Sequence, residues 1–354
     1  MSGRAETLAF DRMIPADWFT PFDPYPMLRG GHAQTLAGNY WRRSSFEIPF
    51  EAEIVVVDPS DGSRVLCHCH WQPKAARAAQ LTILLVHGLE GSSDSRYIQG
   101  ITKLAWRAGC NVIRMNMRNC GGTETWTPTL YHSGLSADVG AVLHHFVHLY
   151  DLQRVAMAGY SMGGNLVLKL AGELADQAPE WLVAAVGVSP AADLAASADA
   201  LHEPANRLYE WHFLRNLMER FRRKAQLFPE IYTANDVGPV RSIREFDEKI
   251  TARYSGFSGA DEYYLLSSAA RTIARVAIPT LVLHALDDPF IRITPETREA
   301  LIDNPAIRLI ETDNGGHCAF LAKAPGTGIA KERHWAEATL VRFLLAVAGT
   351  ASGS

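Results

Sequence analysis

The sequence contains few cysteines for its length and no long hydrophobic run. Its five cysteines are an odd number scattered through 354 residues. This does not resemble a disulfide framework, so we expect reduced thiols. A membrane-spanning helix needs about 18 consecutive apolar residues, and no apolar run in this sequence approaches that length. The N-terminal stretch MSGRAETLAFDRMIP carries charges where a signal peptide needs an apolar region. We therefore expect a cytoplasmic protein without an integral membrane segment.

The sequence also lacks an excess of charge and the common nucleotide-binding motifs. The formal net charge is −4, from 34 Lys and Arg against 38 Asp and Glu, which gives no reason to expect a nucleic acid partner. Hydrophobic residues make up 47% and charged residues 20% of the chain, as in a globular protein. No GxGxxG motif opens a helix after a first strand, and no GxxxxGK[ST] motif occurs. We predict no cofactor.

A run of alternating cysteine and histidine, Cys67-His68-Cys69-His70, could be taken for a metal site. In a strand, however, alternation sends the two cysteines to one face and the two histidines to the other. We therefore interpret the run as an ordinary strand at the edge of the core, and we predict no metal. Cys318 adjoins a histidine, and we interpret it as a small buried hydrophobe.

Short apolar runs alternate with helix-like segments through most of the chain. Nearly continuous apolar runs are typical of buried parallel strands, and their alternation with helices predicts a parallel sheet with helices on both faces. The first two strands form a hairpin across the turn Asp58-Pro59-Ser60-Asp61-Gly62. The eight predicted strands are 53–57, 63–71, 81–86, 111–115, 154–158, 182–188, 280–286 and 307–311. The main predicted helices are 96–108, 138–150, 165–174, 295–302 and 334–347.

The alternation stops after Ser189-Pro190 and resumes at Pro279. We interpret residues 191–279, which are rich in helix signals, as a helical cap insertion over the carboxyl edge of the sheet. Open α/β sheets bind ligands at that edge, so a cap there would wall the substrate pocket. Residues 1–45 are predicted to be an irregular arm that packs on the core. The core itself would comprise residues 46–190 and 280–354.

The pentapeptide Gly159-Tyr160-Ser161-Met162-Gly163 matches GxSxG and lies between a predicted strand and a predicted helix. Glycines two before and two after the serine allow a sharp turn that exposes its hydroxyl group. A serine hydroxyl is unreactive at neutral pH unless a base removes its proton. Ser161 is therefore a candidate nucleophile that needs a histidine.

A histidine and an acid follow in the chain. His317 ends the glycine-rich loop Asn314-Gly315-Gly316-His317 after the last strand, and an imidazole can accept and return a proton at neutral pH. Asp287 and Asp288 follow the strand 280–286, where a carboxylate could orient the imidazole. We prefer Asp288, three residues after the small Ala285, and keep Asp287 as the alternative. The order Ser161, Asp288, His317 is that of an α/β-hydrolase.

The chemistry also needs two backbone N–H groups that face the developing negative charge. One is expected from Met162, the residue after the nucleophile. The other is expected from Leu89, because Gly88 can turn the loop that leaves the strand 81–86. We interpret His87 as a strand-end residue that holds this loop, and not as a catalytic group.

Two stretches of the insertion have a second interpretation. Apolar residues recur at helical spacing between arginines: Leu208, Trp211, Leu214, Leu217, Met218 and Phe221. Such a stripe could lie on a membrane surface, but we prefer a cap helix packed on the core, and the lining of an acyl pocket is a further interpretation. The charged run 243–251 is interpreted as a solvated face or an ion-pair network that holds the cap.

Further motifs occur in the arm, after the strands and in the insertion: His32-Ala33-Gln34-Thr35-Leu36, His87-Gly88-Leu89-Glu90-Gly91, Asn116-Met117-Arg118-Asn119-Cys120-Gly121-Gly122, Ile243-Arg244-Glu245-Phe246-Asp247 and Asp287-Asp288-Pro289-Phe290. Together they resemble the YheT-like branch of the α/β-hydrolases, which includes the mammalian hydrolase-domain esterases and phospholipases. The resemblance spans nearly the whole chain. It implies the α/β-hydrolase fold, the triad Ser161, Asp288 and His317, and hydrolysis of carboxylic esters, sometimes lipid esters.

The sequence therefore predicts a serine esterase that acts on a small-molecule ester with a short to medium acyl chain. A thioesterase, an amidase or a lipid-ester hydrolase could use the same residues. A catalytically idle α/β-hydrolase scaffold that binds a small molecule or a protein is the alternative from another class.

Overall fold

An eight-stranded sheet forms the core of the part of the chain that the computed structural model describes, namely residues 18–41, 43, 47–59, 61–233, 237–323 and 332–350. The strands are β1 (Glu53–Val57), β2 (Val65–His70), β3 (Thr82–Val86), β4 (Asn111–Met115), β5 (Val155–Tyr160), β6 (Leu182–Val188), β7 (Thr280–Ala285) and β8 (Ile307–Thr312). Their spatial order is β1-β2-β4-β3-β5-β6-β7-β8. Strand β2 is antiparallel to both neighbours, and every other neighbouring pair is parallel.

Helices cover both faces of this sheet. The α-helices of the described residues are α1 (Gly31–Tyr40), α2 (Arg96–Arg107), α3 (Ser136–Tyr150), α4 (Met162–Leu174), α5 (Leu194–Leu201), α6 (Arg207–Leu227), α7 (Ile243–Phe246), α8 (Arg253–Ser255), α9 (Ala260–Ser267), α10 (Pro295–Asp303) and α11 (Trp335–Thr350), of which α2 and α11 cover one face and α3 and α4 the other. Along β3, Leu84 and Val86 pack in the cluster under α3 and α4, whereas Ile83 and Leu85 pack in the cluster under α2 and α11. Because both faces are covered, β3, β4 and β5 are buried along their whole length. The predicted fold class is confirmed.

The hairpin at the edge of the sheet and the cysteine–histidine run are as predicted. Strands β1 and β2 pair in antiparallel register, with Val57 opposite Val65. Cys67 and Cys69 lie in the hydrophobic core, whereas Nε2 of His70 on the opposite face lies 3.2 Å from the Arg114 guanidinium. The alternation of the strand thus separates the thiols from the imidazoles.

The prediction of an irregular arm is wrong for residues 31–40, which form α1. The sequence signal for this helix is weak because Gly31 and Gly38 lie within it and no side chain caps its N-terminus. Long-range contacts stabilise it instead. The Gln34 side chain donates to the carbonyl of Leu321 at 3.2 Å and accepts from its N–H at 2.8 Å. Residues 1–17, 42 and 44–46 of the predicted arm lie outside the described residues.

Helices α5 to α9 lie between β6 and β7 and share a hydrophobic cluster of their own. Within the charged run, Arg244 pairs with Asp199 and Asp261, and a π-helical segment (Asp247–Ala252) joins α7 to α8. The predicted ion-pair network is therefore present. The division of the chain into core, arm and cap stays a prediction. Within the described residues, no helix is both long and apolar enough to cross a lipid bilayer.

Candidate active site

Ser161 lies on a sharp turn between β5 and α4. Its backbone has φ 55° and ψ −118°, a conformation that costs a non-glycine residue roughly 1–3 kcal/mol. The turn requires the glycines on either side. A Cβ atom on Gly159 would lie 2.1 Å from the carbonyl oxygen of Gly163, and one on Gly163 would lie 2.4 Å from the carbonyl oxygens of Val86 and His87. The GxSxG motif therefore forms the strand–turn–helix expected from the sequence.

His317 and Asp288 form a buried pair next to this turn. The Nδ1 atom of His317 donates to Oδ2 of Asp288 at 2.8 Å. The other oxygen of Asp288 accepts from the N–H of Ile291 at 2.9 Å, so the carboxylate is held at both oxygens. The Phe290 ring packs on the imidazole, with 4.4 Å between the ring centroids. These contacts fix the plane and the tautomer of His317.

Asp287 points to the backbone of the histidine loop instead. Its Oδ1 atom accepts from the N–H of Gly316 at 2.8 Å. The loop is also held from α1, because the Thr35 hydroxyl oxygen accepts from the N–H of His317 at 2.8 Å. Thr35 belongs to a motif that the sequence had singled out without a role. Of the two candidate acids, Asp288 contacts the imidazole and Asp287 supports its loop.

Ser161 and His317 line the same cavity, but no hydrogen bond joins their side chains. The Nε2 atom of His317, which would have to reach the serine, lies 3.5 Å from the sulfur of Cys318. The interpretation of Cys318 as a small buried hydrophobe holds in part, because the residue packs against the hydrophobic core without being fully buried. Its φ of 61° turns the side chain back to the imidazole, and the residue is half-buried at the cavity wall.

Asp288 and His317 stabilise each other's charged forms. Burial favours the neutral carboxyl group, but the facing imidazole and the N–H of Ile291 hold the pKa of Asp288 below its usual value. Burial also disfavours the imidazolium, but the Cys318 sulfur and the Asp288 carboxylate together raise the pKa of His317. A raised pKa makes His317 a stronger base, and the neutral form that accepts a proton predominates only above that pKa.

Two backbone N–H groups near Ser161 are available to a ligand. Within the described residues, no hydrogen bond takes up the N–H of Leu89 or of Met162. The N–H groups on either side of Leu89 have acceptors: that of Gly88 donates to the Tyr97 hydroxyl oxygen at 2.8 Å, and that of Glu90 to the Tyr131 hydroxyl oxygen at 3.4 Å. The two N–H groups predicted as oxyanion donors are thus both free.

The loop that carries Leu89 is held on its strand side by His87. The Nδ1 atom of His87 donates to the carbonyl oxygen of Gly88 at 2.8 Å, and its Nε2 atom accepts from the N–H of Met117 at 3.1 Å. Burial lowers the pKa of His87 to about 4, so the ring is neutral at pH 7. It acts as the strand-end support that the sequence indicated.

The same loop is held on its other side by α6, a contact that the sequence did not reveal. The guanidinium of Arg220 lies 3.1 Å from the Glu90 carboxylate and donates to the carbonyl oxygen of Asn119 at 2.7 Å. Glu90 also accepts from the Tyr131 hydroxyl at 2.5 Å. Sequence signals alone could not pair Arg220 with Glu90, because arginine is common on exposed helix faces.

Two cavities meet at Ser161. The larger one, of about 620 Å³, opens between α1 and α6 and carries polar and apolar side chains, including those of His32, Tyr97, Tyr209, His212 and His317. The smaller one, of about 110 Å³, extends beneath α6 and is mainly apolar: Leu194, Ala198, Leu201, Phe213, Leu217, Ile243 and Phe246. The serine hydroxyl is therefore placed between a roomy compartment and a narrow apolar one.

The apolar stripe of α6 divides between two environments. Leu217 and Phe221 are buried, and Phe213 and Leu217 line the smaller cavity. For Phe213, Leu217 and Phe221, two interpretations from the sequence hold: the helix packs on the protein, and it forms part of a pocket wall. Leu208 and Trp211 instead remain exposed.

Metal-binding groups are not clustered in the described part of the chain. It contains no cluster of three or more histidine, cysteine or acidic side chains arranged to hold a metal ion. All five cysteines lie within it, and each is a free thiol. The polar groups around Ser161 are those of acid–base and backbone hydrogen-bond chemistry.

A family model described as the alpha/beta hydrolase fold matches residues 82–324. The chain belongs to the α/β-hydrolase family. Its relatives include the putative esterase YheT of Escherichia coli strain K12, which is 31% identical over 88% of this chain and 89% of its own length. Phospholipase ABHD3 of Mus musculus is 34% identical over 68% of this chain, and the match spans 58% of that protein. Monoacylglycerol lipase of Saccharomyces cerevisiae is 27% identical over 75% of this chain and 59% of its own length.

Solved structures agree with the α/β-hydrolase fold. Esterase Pf2001 of Pyrococcus furiosus superposes with a TM-score of 0.53 at 16% identity, covering 84% of this chain and 91% of that one. A proline iminopeptidase of Mycobacterium smegmatis has a TM-score of 0.50 at 20% identity, covering 84% and 100%. The fold and the YheT-like branch of this hydrolase, both predicted from the sequence, are confirmed.

Proposed function

We propose that the enzyme is a serine hydrolase that cleaves carboxylic esters with short to medium acyl chains. One observation carries the proposal: a serine on a strained turn faces the same cavity as a histidine whose far nitrogen is bound by a buried aspartate. The free N–H groups of Leu89 and Met162 beside that serine add the electrostatic part of the site.

The reaction would begin when Nε2 of neutral His317 accepts the proton of the Ser161 hydroxyl. The serine oxygen attacks the ester carbonyl carbon, and the negative charge that develops on the carbonyl oxygen is held by the Leu89 and Met162 N–H groups. The imidazolium, stabilised by Asp288, returns its proton to the leaving alcohol. A water molecule, deprotonated by His317, then attacks the acyl-enzyme and releases the acid.

Substrate binding must also bring His317 and Ser161 into contact, because their side chains are not hydrogen-bonded to each other. Catalytic hydrogen bonds often tighten only in the substrate complex. The Cys318 sulfur faces Nε2 at 3.5 Å, so a small rotation of either side chain would change which group the imidazole faces. Asp288 would keep the other nitrogen in place during this change.

The two cavities support a division of the substrate at Ser161. The acyl chain is placed in the smaller cavity because its lining is mainly apolar. The volume of about 110 Å³ limits the length of that chain. The alcohol part then occupies the larger cavity, where hydroxyl groups and imidazoles are available to polar substituents. Residues 191–279, the proposed cap, supply most of the acyl side of the site.

The proposed location of the protein is the cytoplasm.

The named relatives support the ester class, since they include an esterase, a phospholipase and a monoacylglycerol lipase. They also favour lipid esters as a second candidate class of substrate. For this second class, the larger cavity would receive the polar part of the lipid.

The test is a comparison of p-nitrophenyl acetate, butyrate, octanoate and laurate as substrates. We expect the highest kcat/KM for butyrate or octanoate, and a loss of about a thousandfold or more in Ser161→Ala. Ser258→Ala is the matched control, because Ser258 is exposed and lines neither cavity. Unchanged turnover in Ser161→Ala would refute the proposal, and highest turnover with laurate would refute the short acyl pocket. A matched thioester series separates a thioesterase from an esterase.

A further inference from the structure

One face of α6 is firmly attached to the rest of the protein. Leu217 and Phe221 are buried in the hydrophobic cluster of helices α5 to α9. One turn further along, Lys224 is also buried, and its Nζ atom donates to Oδ1 of Asn119 at 2.7 Å. These contacts fix how the helix is rotated about its axis, and therefore which side chains its other face presents.

The other face carries large apolar side chains into solvent at the entrance of the larger cavity. Leu208 is 82% exposed and Trp211, one turn later, is 60% exposed. Across the entrance, α1 presents Leu36 and Tyr40, which are 54% and 78% exposed. Leu36, Tyr40 and Leu208 line the cavity, and Trp211 lies in solvent one turn beyond Leu208 on α6. We call these four residues the entrance patch.

Positive charge accompanies the entrance patch. The solvent face of α6 carries one exposed glutamate, Glu219, against four exposed arginines: Arg207, Arg215, Arg222 and Arg223. Only Arg223 forms a salt bridge with Glu219 in the described part of the chain, at 2.7 Å. The guanidinium of Arg215 lies over the Trp211 ring, 5.6 Å from its centroid. The face is therefore basic although the whole chain has a net charge of −4.

We propose that the entrance patch docks on an anionic lipid surface. Exposed leucine, tryptophan and tyrosine side chains bordered by arginines are suited to the boundary between lipid headgroups and acyl chains. The charge of the face favours this occupant over an apolar protein partner, because exposed arginines without acidic neighbours are attracted to anionic headgroups. Docking would hold the cavity entrance against the surface in which an ester is dissolved. Such docking is a property separate from ester turnover.

The test measures binding with the full chain carrying Ser161→Ala, so that catalysis plays no part. Sucrose-loaded vesicles of phosphatidylcholine alone, or of an equimolar mixture with phosphatidylglycerol, are sedimented with the protein. We expect binding to the mixed vesicles that weakens when sodium chloride is raised, because salt screens the arginines. Adding Leu208→Ser and Trp211→Ser should reduce the bound fraction about tenfold or more.

The matched control adds Leu149→Ser and Ile302→Ser, two leucine-sized side chains that are each 55% exposed on other helices. This variant should bind as well as the parent, and circular dichroism should show all proteins folded. No binding to mixed vesicles, or equal loss in the control variant, would overturn the proposal. So would a dimer, seen by sedimentation velocity, that dissociates in the Leu208→Ser/Trp211→Ser variant.

Discussion

The guanidinium of Arg220 lies 3.1 Å from the carboxylate of Glu90, which directly follows Leu89 in the chain. Glu90 has a φ of 57°, so its backbone is strained, and the Arg220 and Tyr131 side chains hold its carboxylate. Through this contact, α6 fixes the loop whose Leu89 N–H is the proposed oxyanion donor. The helix that covers the cavities thereby also positions part of the proposed catalytic machinery.

We predict that Arg220→Gln lowers kcat roughly 10- to 100-fold while KM changes little, because a displaced N–H donor affects the transition state more than the bound ester. Arg223→Gln, on the same helix but paired at the surface with Glu219, is the control and should leave kcat unchanged. Steady-state kinetics on p-nitrophenyl butyrate give both constants. A loss confined to KM would contradict the assigned role.

The two neighbouring aspartates should differ sharply in effect. Asp288→Asn removes the carboxylate that binds Nδ1 of His317, and we expect kcat to fall about 10³- to 10⁴-fold. Asp287→Asn alters hydrogen bonds to the backbone of the histidine loop, including that to the N–H of Gly316, so its loss should be much smaller. Measuring kcat for both variants at neutral pH shows which of the two aspartates orients His317. The reverse order of the two losses would make Asp287 the triad acid.

The pH dependence should follow the raised pKa of His317. Because a raised pKa keeps the imidazole protonated to higher pH, the base form appears late, and the acid limb of kcat/KM should lie above the ordinary histidine value of about 6.5. Replacing Cys318 with alanine removes the nearby sulfur, so the limb should move to lower pH. A pH–rate profile of both proteins tests this. A limb that stays in place or moves to higher pH in Cys318→Ala would show that the sulfur does not raise this pKa.

Two glycine substitutions should have opposite effects on stability. Gly163→Ala would bring a Cβ atom to 2.4 Å from two backbone carbonyl oxygens, and it should lower the free energy of unfolding by about 4 kcal/mol or more. Gly140→Ala in α3 would place a Cβ atom 3.6 and 4.0 Å from the two methyl groups of Leu170, which is ordinary contact. It should stabilise the helix by up to about 1 kcal/mol. Denaturant unfolding of the two variants provides the comparison, and equal values would contradict the close packing of the serine turn.

The sheet could be predicted well because its strands are buried on both faces. Predicted and observed bounds coincide for Asn111–Met115 and Leu182–Val188, where apolar runs end at polar or turn residues. Short apolar runs of this kind are compatible with few structures other than buried strands. The candidate nucleophile, acid and histidine could be named because each follows a strand at the carboxyl edge of the sheet.

Other features could not be predicted because they depend on contacts between distant residues. Helix α1 is stabilised by Gln34 against Leu321, which is 287 positions away. Arg220 and Glu90 are 130 positions apart. The contact between Cys318 and His317 results from the left-handed backbone at Cys318. A left-handed conformation at a non-glycine residue cannot be predicted from the sequence. Local patterns carry no information on such pairings.

The most direct test of the proposed chemistry is labelling by a fluorophosphonate, which reacts with an activated serine. The wild-type protein, Ser161→Ala and Asp288→Asn are incubated with the probe, and intact-protein mass spectrometry counts the adducts. We predict one adduct on the wild-type protein, located at Ser161 by peptide mapping, none on Ser161→Ala, and much slower labelling of Asp288→Asn. An adduct on Ser161→Ala, or folded wild-type protein that does not react, would contradict the assignment of Ser161 as the nucleophile.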